Sequence, residues 1–242
     1  MGIFKHLILN GRVAGGKSEF IDFLKKLPPK ERAENYHIGN IAEFDDFLYL
    51  QEKFIEDDLW EKIGYPRLHS EKYQHYYLMN SHSKLLDLCY EKFNYYAARD
   101  YLNNPKFYET NTLLIEFSRG TPDGGYARAY NMLSPEILND AAIAYISVSY
   151  EESIRKNEAR YKEKLKLSTL AHKVPDKDMV RWNKEQDWEK ITDNKPNGYM
   201  TIKEIKVPFV TIYNEPELTD PAALAERYGT CLRTLMELYQ SR

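Results

Sequence analysis

The stretch Leu7–Leu24, "LILNGRVAGGKSEFIDFL", decides the fold. With His6 it opens as a short apolar strand, passes three glycines, and leaves on a helical pattern in which Phe20, Leu24 and Leu27 share one face. Pro28-Pro29 stops that helix. Gly11, Gly16, Lys17 and Ser18 complete the spacing G-x-x-x-x-G-K-[S/T], with Ala14 and Gly15 inside the loop and Glu19 just beyond it. The spacing has a physical purpose. Glycines let consecutive amide N–H groups turn inward on phosphate oxygens, and the helix that follows adds the positive end of its dipole. Lys17 is placed to reach the outer phosphates of a nucleoside triphosphate, and Ser18 to ligate Mg²⁺. Gly11, Ala14, Gly15, Gly16, Lys17, Ser18 and Glu19 are therefore the expected nucleotide-binding residues.

Outward from this loop, four apolar segments alternate with helical stretches: "YHIGN" (36–40), "TLLIEF" (112–117), "AIAYISVS" (142–149) and "VPFVTIY" (207–213). Together with the first strand they predict a doubly wound α/β fold, with a mainly parallel five-stranded sheet in a three-layer sandwich. A last helix starts at Asp220, a good N-cap, followed by Pro221 as a good first helical residue. At 242 residues and 43% hydrophobic content, with no Ser/Gly/Pro-rich tract, the expectation is one domain over 1–242. It carries a helical insertion at 41–110 and a basic helical lid at 151–190.

Composition excludes several classes. A formal net charge of −3 gives no global basic field, which argues against a nucleic-acid partner. The N-terminal apolar run is too short for a membrane span or signal segment, and His6 stands where a myristoylation signal needs Ser or Thr. Cys89 and Cys231 have neither metal nor redox spacing, as expected of buried thiols in a reducing cytoplasm. A GTPase signature fails at "DNKPNG" (193–198), where Asn197 replaces the required acid and the residues read as a turn.

On the loop at 11–18 sharply, and on element order over most of its length, the chain resembles the nucleoside and nucleotide kinases among P-loop proteins. The resemblance implies a P-loop kinase sandwich that moves the γ-phosphoryl group of Mg-ATP to a small-molecule acceptor, a nucleoside or nucleotide first among them. It leaves a homodimer open. Deoxynucleoside kinases carry a carboxylate after the second strand that serves the acceptor hydroxyl; here Glu43, Asp45 and Asp46 stand there, and Asp46 is the residue preferred. Glu116 ends the third strand where a carboxylate can hold Mg²⁺, with Arg119 three residues on. Those kinases have Glu-Arg-Ser at this place, whereas this chain has Glu-Phe-Ser-Arg.

The basic excursion after the fourth strand offers Arg155 and Arg160 to neutralise the transferring group. Residues five apart on an unbroken helix point about 140° from each other, so both reach one site only if the helix breaks between them, or if one faces the adenine while the other faces the phosphates. Catalysis is thus expected from Lys17, Asp46, Glu116, Arg119, Arg155 and Arg160, with Mg²⁺ on Ser18 and Glu116. Arg67 is a candidate anion hook, His82 and Lys84 are candidate acceptor contacts, and Trp182 and Trp188 are expected to anchor the lid. The alternative is a nucleotide-binding switch whose basic excursion meets a protein partner.

Overall fold

A run such as His6–Gly11, buried at every position, can only be an interior strand, because each face must meet apolar side chains. In the computed structural model, which describes residues 2–73, 76–79, 84–167 and 174–242, this strand is β1 and lies mid-sheet. It is followed by α1 (Lys17–Lys26), α2 (Pro29–Tyr36), β2 (Asn40–Asp45) and α3 (Asp46–Lys62). A two-stranded antiparallel hairpin, β3 (Ser70–Tyr73) with β4 (Tyr76–Met79), precedes α4 (Leu85–Ala97). Then come β5 (Asn111–Phe117), α5 (Gly125–Met132), α6 (Pro135–Asn139), β6 (Ala141–Ser147) and α7 (Tyr150–Leu167). The chain ends through α8 (Asp176–Met179), α9 (Trp188–Ile191), β7 (Asn197–Ile202), β8 (Ile205–Tyr213) and α10 (Pro221–Gln240).

The main sheet has the order β2-β5-β1-β6-β8-β7. Its first five strands are parallel, and β7 runs antiparallel to β8. The five strands expected from the sequence are thus corrected to six: past the left-handed turn at Asp193 and Asn194 the chain returns as an edge strand from Asn197. The second strand is also displaced. Of residues 36–40 only Asn40 belongs to it, because Pro29 starts a helix that ends at Tyr36 and His37 turns left-handed at φ 59°. Gly39 then passes so close to the backbone of Thr110 that any Cβ would collide with its carbonyl. The strand is instead "NIAEFD", an edge strand with only Phe44 buried, whose carboxylates disguise it as a loop.

Alternation along the strands sorts the core into two layers. Leu7 and Leu9 face α1 and α10, in a cluster with Phe20, Leu24, Tyr228 and Leu232. Ile8 faces α4, α5, α6 and α9, in a cluster with Tyr90, Phe93, Tyr126 and Trp188. A third cluster joins Leu50 and Phe54 of α3, Leu86 and Cys89 of α4, and Trp182. The chain leaves β1 toward β2 on one side, and leaves β6 toward β8 on the other. A crevice therefore opens at the C-terminal end of β1, where open α/β sheets hold ligands. None of the described helices is long and apolar enough to cross a membrane.

His6 gives this core a pH dependence. Its ring is fully buried, with Nδ1 2.8 Å from the Ile137 carbonyl and Nε2 2.8 Å from the Tyr108 hydroxyl. A carbonyl only accepts, so Nδ1 carries the proton and Nε2 accepts from Tyr108. Burial lowers the pKa of His6 below its ordinary 6.5, so on acidification the unfolded chain takes up a proton before the folded one. The stabilisation is complete above pH 6.5 and is lost as pH falls below it. In urea melts between pH 6.5 and 5, His6→Gln should flatten the stability slope by up to about one bound proton. Equal slopes in the two proteins would remove His6 from the acid limb.

Candidate active site

The loop after β1 needs its glycines. Gly11 has φ 148°, and a Cβ there would lie 2.5 Å from the Ile146 carbonyl oxygen. Gly16, at φ 112°, is the N-cap of α1, and a Cβ on it would strike the Asn214 amide. The loop is clamped from outside. Asn214, beyond β8, donates to the Gly15 carbonyl at 3.1 Å and is itself held by Arg227 at 3.0 Å. Asn183 accepts from the Val13 amide at 2.7 Å, Ser153 of α7 donates to the Val13 carbonyl at 2.7 Å, and Arg12 donates to the carbonyls of Val148 and Asn183. No side chain caps α1, so its first-turn amides, Ser18 and Glu19 included, stay available at the crevice.

Lys17 folds back from α1 over the ends of β1 and β5. Its ammonium donates to Ser118 Oγ at 2.6 Å, Arg12 O at 3.2 Å and Gly11 O at 3.4 Å, and stands 3.8 Å from Glu116 Oε1. Ser118 passes its own proton to the Gly11 carbonyl at 2.7 Å. Glu116, 12% exposed, is in sheet register with Asp45, and one carboxylate oxygen from each of Glu43, Asp45 and Glu116 lies within 4.8 Å of the others. Burial pushes the Glu116 carboxyl up to about 7, against the pull of Lys17 and with the help of Asp45 and Asp46. Burial and the neighbouring Asp46 push Asp45 up to about 6. The trio is a hard-oxygen donor set: Glu43 is paired with Lys25 at 2.6 Å, whereas burial and mutual repulsion strain Asp45 and Glu116, and a divalent cation would relieve that strain.

Asp46 opens α3 and is buried in an ion pair with Arg119, whose guanidinium lies over the rings of Tyr90 and Phe117. Asp45, the N-cap of α3, accepts from the Phe47 amide at 2.9 Å and stays on the Glu116 side. The remaining residues singled out in the sequence are not all brought together. α7 is unbroken, so Arg160 pairs with Glu19 beside the loop at 3.3 Å. Arg155 turns away to Glu152 and Glu217, at 2.6 and 2.8 Å. Arg67 is bound by Asp58 of α3 and Ser70 of β3, and Lys84 is exposed at the start of α4; His82 lies outside the described residues. Trp182 and Trp188 are both buried, the latter stacked on Tyr145 at 4.3 Å.

Sequence pattern does not mark Ser118, Asn183 or Asn214, because each acts on the loop through one or two polar contacts from a segment distant in sequence. Asp45 was legible as one of three acids, but only the β2–β5 register separates it from Asp46.

No family model and no curated protein matches the chain. Among solved structures, a candidate kinase of Chloroflexus aurantiacus aligns over 97% of this chain and 99% of its own, at 11% identity and a TM-score of 0.43. A sugar kinase of Janibacter sp. HTCC2649 aligns over 95% of each chain, at 13% identity and a TM-score of 0.38. At TM-scores below 0.5, nothing about chemistry passes from them to this chain.

Because the Glu116 carboxyl is raised from 4.5 to about 7, it stabilises the metal-free protein at low pH and ceases to do so as pH rises through about 7. E116Q should therefore be more stable than wild type at pH 8 without divalent cations, by on the order of 2 kcal/mol, with the difference gone near pH 4.5. Added Mg²⁺ should raise the melting temperature of wild type more than that of E116Q. No gain at pH 8 would show that the buried charge carries no strain.

Proposed function

We propose that the chain is a P-loop phosphotransferase that moves the γ-phosphoryl group of Mg-ATP to a small acceptor, a nucleoside, nucleotide or similar hydroxyl metabolite. The observation that carries this reading is Lys17 lying between the glycine loop and Glu116, at the C-terminal ends of β1 and β5. A lysine held by two loop carbonyls and a serine hydroxyl is ready to exchange these weak partners for phosphate oxygens.

The residues fit Mg²⁺: the Glu116 and Glu43 oxygens supply hard ligands directly or through water, with Ser18 at the first turn of α1, which leaves Asp45 beside them for proton transfer. The ion, when bound, neutralises charge on the phosphates. The chain's own groups do the rest. Gly16 and the first-turn amides of α1 cradle the donor phosphates, and Lys17 follows the charge that moves onto the bridging oxygen. Asp45, ionising at about 6, is suited to take the acceptor's hydroxyl proton as the O–P bond forms. Asp46 and Arg119, locked together, fix the wall on which the acceptor lies. Arg160, tethered to Glu19, is the lid arginine within range of the phosphates; Arg155 serves the fold of α7.

ADP release from Mg-ATP, with and without a panel of nucleosides, nucleotides and small hydroxyl compounds, tests the reading. At least one acceptor should stimulate release, and Lys17→Ala should reduce the stimulated rate by about 100-fold or more. Tight Mg-ATP binding with no stimulation by any panel member would instead indicate a nucleotide-binding switch.

A further inference from the structure

Among the described residues, the buried side-chain nitrogens and oxygens without a hydrogen-bond partner are Arg119 Nε, Arg119 Nη2 and Trp182 Nε1. All are donors. In a guanidinium, Nε–H and Nη2–H share one edge, the edge that grips a carboxylate or phosphate through two parallel hydrogen bonds. Arg119 is 3% exposed, and its Nη1 is already committed to Asp46 and to the Ser118 carbonyl at 2.6 Å. The rings of Tyr90 and Phe117, 4.9 and 5.5 Å from Cζ, attract the charge, and the Tyr90 hydroxyl lies near the guanidinium, yet neither Nε nor Nη2 has a hydrogen-bond partner. Buried donors are nearly always paired, so a bidentate edge left empty calls for the partner that completes it.

Trp182 borders the same region. A Cβ on Gly120, the residue after Arg119, would meet the Arg181 carbonyl and come within 3.0 Å of Trp182 Cα, so segment 180–184 lies directly against it. Trp182 belongs to the cluster of Leu50 and Cys89, on the α3–α4 seam that also presents Asp46 and Tyr90. The next residue, Asn183, holds the glycine loop at Val13. Segment 180–184 thus packs against Gly120, next to Arg119, and holds the glycine loop at the same time. Asp46 balances the guanidinium, and an incoming anion finds further positive charge at Lys17 and at Arg12, which bonds only carbonyls and has no carboxylate partner among the described residues.

We propose that the acceptor is an anionic small molecule whose carboxylate or phosphate monoester seats on the Nε/Nη2 edge of Arg119, with Trp182 Nε1 as a third donor. That the bound anion is a phosphoryl acceptor rests on the phosphotransferase reading; the anion site itself does not.

The test compares matched series: glycerol, glycerate and glycerol phosphate, then uridine and uridine monophosphate, each titrated into the full-length protein without ATP. Melting temperature and the NMR signal of the Arg119 Nε–H group report binding. At least one anion should raise the melting temperature and shift that signal, its neutral parent should do neither, and R119K should weaken binding of the anion by about 10- to 100-fold. The carboxylate and phosphate members show which oxyanion the edge takes. Neutral parents binding as tightly as their anions, no panel member moving the Arg119 signal, or R119K binding as well as wild type would each overturn the proposal. The NMR readout on wild type keeps the test decisive if R119K fails to fold. ADP release is then measured with the same compounds. An anion that binds at Arg119 yet stimulates none leaves the site standing and sinks the phosphotransferase reading, whereas stimulation by neutral parents alone does the reverse.

Discussion

Parallel pairing of β5 between β1 and β2 is the constraint from which the rest of the crevice follows. It sets Glu116 level with Leu9 on one side and Asp45 on the other, and leaves Ser118 just past the sheet end, within reach of the Gly11 carbonyl. Lys17 closes the arrangement from α1 because Gly16 turns the chain back at a φ that a side chain would resist. Slide β5 by one residue and its alternation inverts: Leu114 would leave the cluster that packs α1, and Glu116 would turn away from Lys17. The apolar core thus holds the charged site in register.

The site stores electrostatic strain. Two carboxyls raised to about 7 and about 6 sit beside one lysine, so at neutral pH the metal-free crevice is balanced between protonation and repulsion. Groups poised in this way respond to small changes in nearby charge, as binding and proton transfer require. Beside the contacts within the loop and from Lys17, polar bonds from Asn214 after β8, from Ser153 of α7 and from Asn183 hold the loop from segments distant in sequence. Movement in any of these segments is therefore felt at the glycine loop.

Segment 180–184 is the structural link between the two halves of the crevice. Asn183 reaches the glycine loop while Trp182, one residue earlier, is buried against α3 and α4. Their side chains diverge, so the glycine loop and the α3–α4 wall are joined through adjacent residues of a single short turn. α7, by contrast, is one unbroken helix that sends Arg160 toward Glu19 and Arg155 toward Glu217, as the angle between residues five apart requires.

Much of this molecule was written locally. The glycine-lysine loop, the strands rich in Ile, Leu and Ala, and the Asp220-Pro221 start of α10 depend on spacing and propensity alone, which is why they are readable without coordinates. β2 and β7 were not, since edge strands need only one buried face and can carry acids or follow a turn without losing their pairing. Nor could spacing separate Asp45 from Asp46: adjacent residues leave a strand end in different directions, and only packing sends one to Glu116 and the other to Arg119. By itself the sequence determined a layered α/β fold with a phosphate-type loop on its first strand. The tertiary structure alone decided which charges meet, because burial and distance, the quantities that set a charge's energy, are properties of chain segments far apart in sequence.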